Sequence, residues 1–355
     1  MSARINIKSK KFALMMVFFA VIFILAGIFY IKECNKLTKH TKTVYALDTQ
    51  ITLTTYENKA DDSTLNKAEA EIYRLEDLLS VTKVDSDIYT INHSDVNSTK
   101  VNSDTSEIIS FALDMAKKTD GALDISLYPI IRAWGFTTGS YKIVSDEELS
   151  KLLPLVDYKK IDVDKHTNTV FLPSDMQIDL GAVGKGYIGD KIIALLKQNN
   201  VKSAIVNLGG NVQTLGKKPD NTLWKVGIKA PDSNDYLGIV EIFDCAVITS
   251  GAYERFFIGD DGKKYGHILD SKTGKSVDNE MLSVTIIGSE GKVCDALSTA
   301  LFVMGKARAI EYWKENRNFD MILLTKDNNL YLSKNIADKF VLQDKFKYLT
   351  VTVVQ

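Results

Sequence analysis

Apolar side chains recur three or four residues apart in two early stretches. Leu65, Ala68, Ile72, Leu75 and Leu79 follow Asp62 and Ser63, while Ile108, Ile109, Ala112, Leu113 and Ala116 follow residues 103–105. That spacing places them on one stripe and predicts two amphipathic helices, each opening at a polar cap. Residues 145–148 (SDEE) read as a capping box that opens another helix. Elsewhere the pattern is that of strands. Residues 44–56 (VYALDTQITLTTY), rich in β-branched and aromatic side chains, read as the first strand and the start of the folded domain. Further strands are expected at 169–172, 204–206, 224–228, 239–243, 246–249, 282–287 and 321–324. Two alternating segments, 252–258 and 264–269, flank GDDG and predict a β-hairpin, followed at once by the turn SKTG at 271–274. Helices and strands mix without regular βαβ alternation, and no internal repeat is visible, so the fold class expected is α+β.

The N-terminus follows another pattern. Residues 12–31 (FALMMVFFAVIFILAGIFYI) carry no charge, and twenty such residues in a helix span ~30 Å of hydrocarbon. No small-residue cleavage site is evident, and Cys34 follows Ile31, Lys32 and Glu33 rather than small residues, which argues against lipoprotein processing. The expected organisation is a tail over 1–11, an uncleaved single-pass transmembrane helix over 12–31, a polar stalk over 32–43 and one catalytic domain over 44–355. Arg4, Lys8, Lys10 and Lys11 before the span balance Lys32, Lys36, Lys39 and Lys42 after it, so charge does not set its orientation.

Forty-four basic and 45 acidic residues cancel to a net charge of −1, so no summed field recruits nucleic acid. The three cysteines form no CxxC pair and imply neither a disulfide framework nor a zinc site.

Five segments carry candidate chemistry. In QIDLGAVGKGY (177–187), three glycines at the mouth of a helix let backbone amides approach an anion, with Lys185 adding charge; tight packing explains the same glycines. In VNLGGN (206–211), a strand runs into two glycines flanked by asparagines, which is either a ligand-facing turn or an ordinary one. Asp295 and Thr299, at i and i+4 near the start of an apolar helix, offer hard oxygens suited to Mg²⁺, or a carboxylate that complements the helix dipole. TDGALDIS (119–126) precedes Pro129 and a Trp134-Gly135-Phe136 step whose rings either fill core or stack on a flat ligand. His267, one of four histidines, sits near the end of a hairpin strand, where it serves chemistry or bonds its own backbone.

Taken in order, DGALDIS, PxxxxWGF, DLGAVGKGY, NLGGN, TSGAYERFF with HILDSKTG, and DALSTAL resemble the ApbE family of FAD:protein FMN transferases. The resemblance implies a T-fold-like α+β domain of mixed sheets and packed helices, tethered to the cell membrane and extracytoplasmic. It implies Mg²⁺-dependent transfer of FMN from FAD, through a phosphodiester bond, to a Thr or Ser of a membrane-associated redox protein, with release of AMP. By motif it places FAD against Leu47, Ala122, Leu123, Asp124, Asp179, Lys185 and Ile268. It assigns the metal to the Ala182 carbonyl, Asp295 and Thr299, and catalysis to His267 and Asp270, His267 helping to deprotonate the attacking hydroxyl. Thr82 stands where many relatives carry an aromatic residue, Ser298 where some carry a further acidic ligand, and Ser271 where proline is common. Two alternatives are an FAD pyrophosphatase giving FMN and AMP, in which water replaces the acceptor, and a non-enzymatic FAD-binding protein.

Overall fold

A computed structural model describes residues 12, 14–18, 21–24, 37–57, 62–231, 233 and 235–355. Among the described residues, no helix is long and apolar enough to cross a membrane. Much of the expected span, including residues 13, 19, 20 and 25–31, lies outside them.

Nine strands form the main sheet among the described residues, in the order Thr38–Ala46, Thr49–Glu57, Ser203–Leu208, Asn211–Leu215, Ala246–Gly251, Met281–Gly288, Asp320–Thr325, Asn329–Ser333 and Thr350–Val354. Neighbours are antiparallel except the last pair, where Asn329–Ser333 runs parallel to Thr350–Val354. The strands expected at 204–206, 224–228, 239–243, 246–249, 282–287 and 321–324 are present and longer than expected, 169–172 is one residue shorter, and the hairpin segments are strand only over Phe256–Ile258 and Lys264–Gly266. Successive side chains on a strand face opposite sides, and the core divides accordingly. Val284, Ile286, Met321 and Leu323 pack with the helices Ser63–Leu79, Gly184–Gln198 and Gly291–Glu315. Their neighbours Ile287, Ile322 and Leu324 pack on the other side, against a three-stranded sheet that carries Trp224, Val226 and Val240. Mixed helices on one face and a small sheet on the other make this α+β, as expected.

Two expectations need correction. Residues 44–56 are not one strand: Leu47 and Asp48, with φ of 55° at each, close a two-residue turn between Thr38–Ala46 and Thr49–Glu57. Positive φ at both central residues is what a right-twisted hairpin demands, and here it is met without glycine or asparagine, so the usual turn signal is missing. The sheet therefore starts at Thr38, and residues 38–43, assigned to the stalk, belong to its first strand. The second correction concerns Asp62, which precedes the Ser63–Leu79 helix without capping it. Its carboxylate instead meets His40 Nδ1 at 2.7 Å, and this contact to the first strand outcompetes the local cap. Ser145 does cap as predicted, accepting the Glu148 N–H at 3.2 Å.

Candidate active site

Hydrogen bonds between backbone segments bring the sequence motifs together. The Asp179 N–H donates to the Ile125 carbonyl at 2.8 Å, joining the DLGAVGKGY segment to DGALDIS. Ser271 Oγ donates to the Gly121 carbonyl at 2.6 Å, which ties the turn after His267 to the same loop. Strand pairing supplies the rest. Leu208 pairs with both Ile51 and Asn211, so the Leu47–Asp48 turn and the NLGGN turn occupy the same end of the sheet.

The helices Gly184–Gln198 and Gly291–Glu315 meet at Gly186. A Cβ there would lie 2.3 Å from the Gly291 carbonyl oxygen and 2.7 Å from Asp295 Cβ, so only a hydrogen fits between them. This contact puts the Asp295 carboxylate, which is 4% exposed, against the glycine turn. Its Oδ2 accepts the Gly186 N–H at 2.8 Å, and Oδ1 accepts Asn211 Nδ2 at 3.0 Å. Burial pushes the Asp295 carboxyl up, against the opposing pull of Lys185 and of these donors. Beside it, Ser250 Oγ lies 2.8 Å from Ser298 Oγ and 3.3 Å from Thr299 Oγ1. Asp190 steadies the partner helix by accepting the N–H groups of Gly291 at 2.6 Å and Lys292 at 3.0 Å. Gln213 Nε2 completes the joint by donating to the Gly186 carbonyl at 3.0 Å.

Lys185 is the electrostatic centre of the group. Burial raises the carboxyls of Asp179, Asp295 and Glu254 and lowers His267, and the nearby Lys185 charge opposes the first three shifts and adds to the last. Among the described residues Lys185 makes no ion pair of its own. Burial nevertheless raises Asp179, which is half-buried and accepts the Gly181 N–H at 2.8 Å. Glu254 is exposed by area, but protein atoms crowd its carboxyl, and that loss of solvent raises it too.

Burial is also the main reason that His267 is pushed down to about 4. Its Nδ1 stands 3.1 Å from the Arg255 carbonyl. A carbonyl only accepts, so Nδ1 carries the hydrogen and Nε2 keeps a free lone pair. The backbone-bonded histidine and the catalytic histidine expected from sequence are thus compatible: the same bond that anchors the ring prepares its other nitrogen. Phe136 meets the ring edge-on at 6.4 Å, and the Arg255 guanidinium is held by the Phe136 carbonyl. Asp270 accepts the Lys272 N–H at 2.8 Å and lines a pocket of about 280 Å³ with Thr273 and Ser276.

The remaining predicted residues have more structural surroundings. Leu47 occupies the hairpin turn rather than a strand, and its N–H donates to Glu76 Oε1 at 2.6 Å. Asp124 caps the short turn Ile125–Leu127, accepting Ser126 N–H at 2.9 Å and Ser126 Oγ at 2.6 Å. Leu123 and Ile268 are core residues, while Ala122 and Ala182 pack at the core's edge. Sequence reasoning overlooked Asp190, Gln213, Ser250 and Glu254 as site residues. Ser250 and Glu254 stand inside the TSGAYERFF segment; the other two have no local signal, because their partners are distant in sequence.

A divalent ion at Asp295 would find one carboxylate and the Thr299 and Ser250 hydroxyls as hard oxygen ligands. Among the described residues no group of three or more His, Cys, Asp or Glu is placed to hold a metal ion. One carboxylate with neutral oxygens suits Mg²⁺, which keeps waters and completes its shell with phosphate, and a buried carboxyl raised by desolvation is relieved by a cation.

Residues 47–323 match the model of the ApbE family. The chain belongs to the ApbE family. Its relatives include the FAD:protein FMN transferase of Klebsiella pneumoniae (strain 342), 32% identical over 277 residues that cover 77% of this chain and 85% of that protein. The FAD:protein FMN transferase of Treponema pallidum (strain Nichols) is 33% identical over 244 residues, 64% of this chain and 67% of that one. Among solved structures, the ApbE protein of Thermotoga maritima superposes with a TM-score of 0.76 at 29% identity, covering 88% of this chain and 99% of its own. Apo flavinyl transferase ApbE from Pseudomonas stutzeri shares the fold at 24% identity, with a TM-score of 0.75 over 88% of this chain and 97% of its own.

Proposed function

We propose that this ApbE-family chain is an FAD:protein FMN transferase that moves FMN from FAD onto a Thr or Ser hydroxyl of a partner protein and releases AMP. The observation that carries the reading is the Lys185 ammonium, without an ion pair among the described residues, set near Asp179, Asp295 and His267, with Nε2 of a neutral imidazole free. Phosphoryl transfer asks mainly for positioning and charge neutralisation, and this arrangement offers both.

In the reaction, the acceptor hydroxyl oxygen forms a bond to the FMN phosphorus while the pyrophosphate P–O bond to AMP breaks. His267 Nε2 takes the hydroxyl proton, and the Arg255 carbonyl holds the ring by its Nδ1 hydrogen. Lys185 faces the pyrophosphate charge, and Asp179 helps hold the nucleotide. Mg²⁺, held by Asp295, Thr299 and the Ala182 carbonyl, would supply further neutralisation of the pyrophosphate. The chain itself needs no nucleophile.

The uncharged segment 12–31 supports a single-pass membrane anchor, while a domain from Thr38 onward outside the cytoplasm and a membrane-associated redox protein as acceptor follow from the family likeness. The test incubates the full chain in detergent with FAD, Mg²⁺ and a membrane redox subunit that bears a candidate Thr or Ser site. In-gel flavin fluorescence and an FMN mass increment on the subunit, both lost with EDTA, are the expected result. Free FMN and AMP without label would move the assignment to a pyrophosphatase, and intact bound FAD would leave a binding protein.

A further inference from the structure

A second concavity lies away from these groups. It is an open pocket of about 410 Å³ whose lining includes Leu37, Lys202, Ser203, Lys217, Lys218 and Phe243. Among the described residues none of the three lysines forms an ion pair. The carboxylate present, Asp244, is already engaged by the Gly216 N–H at 2.7 Å. The Lys217 and Lys218 ammonium groups lie over the rings of Phe243 and Trp224, at 5.3 and 5.9 Å from their centroids, and Phe243 is 46% exposed. At the pocket wall, Ser203 is 3% exposed and its hydroxyl has no hydrogen-bond partner. Unpaired ammonium groups beside an exposed ring suit a phosphate that carries an apolar tail.

The pocket's place in the sheet narrows the source of that phosphate. Ser203 begins the strand whose other end, Leu208, pairs beside the Leu47–Asp48 turn and Asn211. Five residue steps of strand separate the two ends, about 17 Å. Leu37 reaches the pocket just before the first strand begins at Thr38. In the sequence it follows Ile31, the last residue of the uncharged segment, by six positions, a chain reach of at most about 21 Å. A membrane that held the segment would thus lie close to the lysines and on the far side of the domain from Asp295.

We propose that this pocket binds the phosphate of an anionic phospholipid headgroup in the membrane that holds the N-terminal segment, docking the domain with its active site turned away from the bilayer. The inference rests on the anchoring reading given above. It is tested with the full chain in three settings: nanodiscs of phosphatidylglycerol, nanodiscs of phosphatidylcholine, and detergent with millimolar inorganic phosphate. Lysine acetylation is followed by mass spectrometry, with exposed Lys165 as the reference. Lys202, Lys217 and Lys218 are expected to react about fivefold more slowly in phosphatidylglycerol than in phosphatidylcholine, in keeping with the attraction of a lysine to an anionic surface. Equal protection by inorganic phosphate in detergent would make this a free-anion pocket and overturn the lipid assignment. Equal reactivity in all three settings would overturn binding altogether. A chain that stays outside the discs would instead sink the anchoring reading, a separate outcome read from the disc fraction before any acetylation is measured.

Discussion

The Gly186 N–H donates to Asp295 Oδ2 at 2.8 Å, and this bond joins the glycine turn to the helix that carries Thr299. Both ends depend on the absence of a side chain at Gly186. Gly186→Ala would drive a methyl into the Gly291 carbonyl and Asp295 Cβ, forcing the helices apart. The expected loss is about 1–3 kcal/mol of stability by urea denaturation, together with loss of transfer activity. Gly184, two residues earlier, has open space around a new Cβ, so Gly184→Ala should unfold at the wild-type urea midpoint or slightly above it.

Asp295→Asn keeps the side chain's shape and removes its charge. Transfer should fall by roughly 10²–10³-fold, the scale seen when one preorganised electrostatic partner is lost. Mg²⁺ should raise the melting temperature of the wild-type chain and leave that of the variant unmoved. A variant that still responded to Mg²⁺ would place the ion elsewhere.

Lys185→Gln removes the cation shared by Asp179, Glu254, His267 and Asp295. Its loss should weaken FAD binding by roughly tenfold in a flavin-fluorescence titration, as expected of a charge-assisted phosphate contact. The imidazole should become easier to protonate, and its NMR titration should shift to higher pH.

His267 gives a prediction with a definite sign. Its pKa falls from 6.5 in the unfolded chain to about 4 in the folded one. A depressed base binds more protons when unfolded, so its stabilisation is present above pH 6.5 and is lost as pH falls toward 4. Relative to His267→Gln, the wild-type chain should lose about 1–3 kcal/mol between pH 7 and pH 4 in chemical denaturation. For the free enzyme, no limb in kcat/KM should arise from this residue near pH 6.5, and His267→Gln should abolish transfer while FAD still binds.

The sequence disclosed the parts whose signals are local. Glycines around Lys185, the i, i+4 pair of Asp295 and Thr299, and the turn beyond His267 each announce a backbone requirement within a few residues. The β-branched and apolar runs at 282–287 and 321–324 likewise read as strands, and the structure shows them burying both faces. What stayed hidden depends on distant partners. Nothing around Asp190 or Gln213 shows that one caps a helix a hundred residues away and the other spans two helices. The Leu47–Asp48 turn was missed for a different reason: its left-handed backbone is imposed by strand twist and held by Glu76, with no turn-forming glycine to reveal it.

That hairpin also sets a gauge. Its first strand runs nine residues from Thr38 to Ala46, about 30 Å, with the chain's point of entry at one pole and the Leu47 tip at the other. Whatever holds the chain below Thr38 is kept a full strand length from the tip. An acceptor hydroxyl rooted in the same support needs an extended arm of roughly nine residues to climb that height. Arm length would then sort acceptors before any side chain of the site touches them.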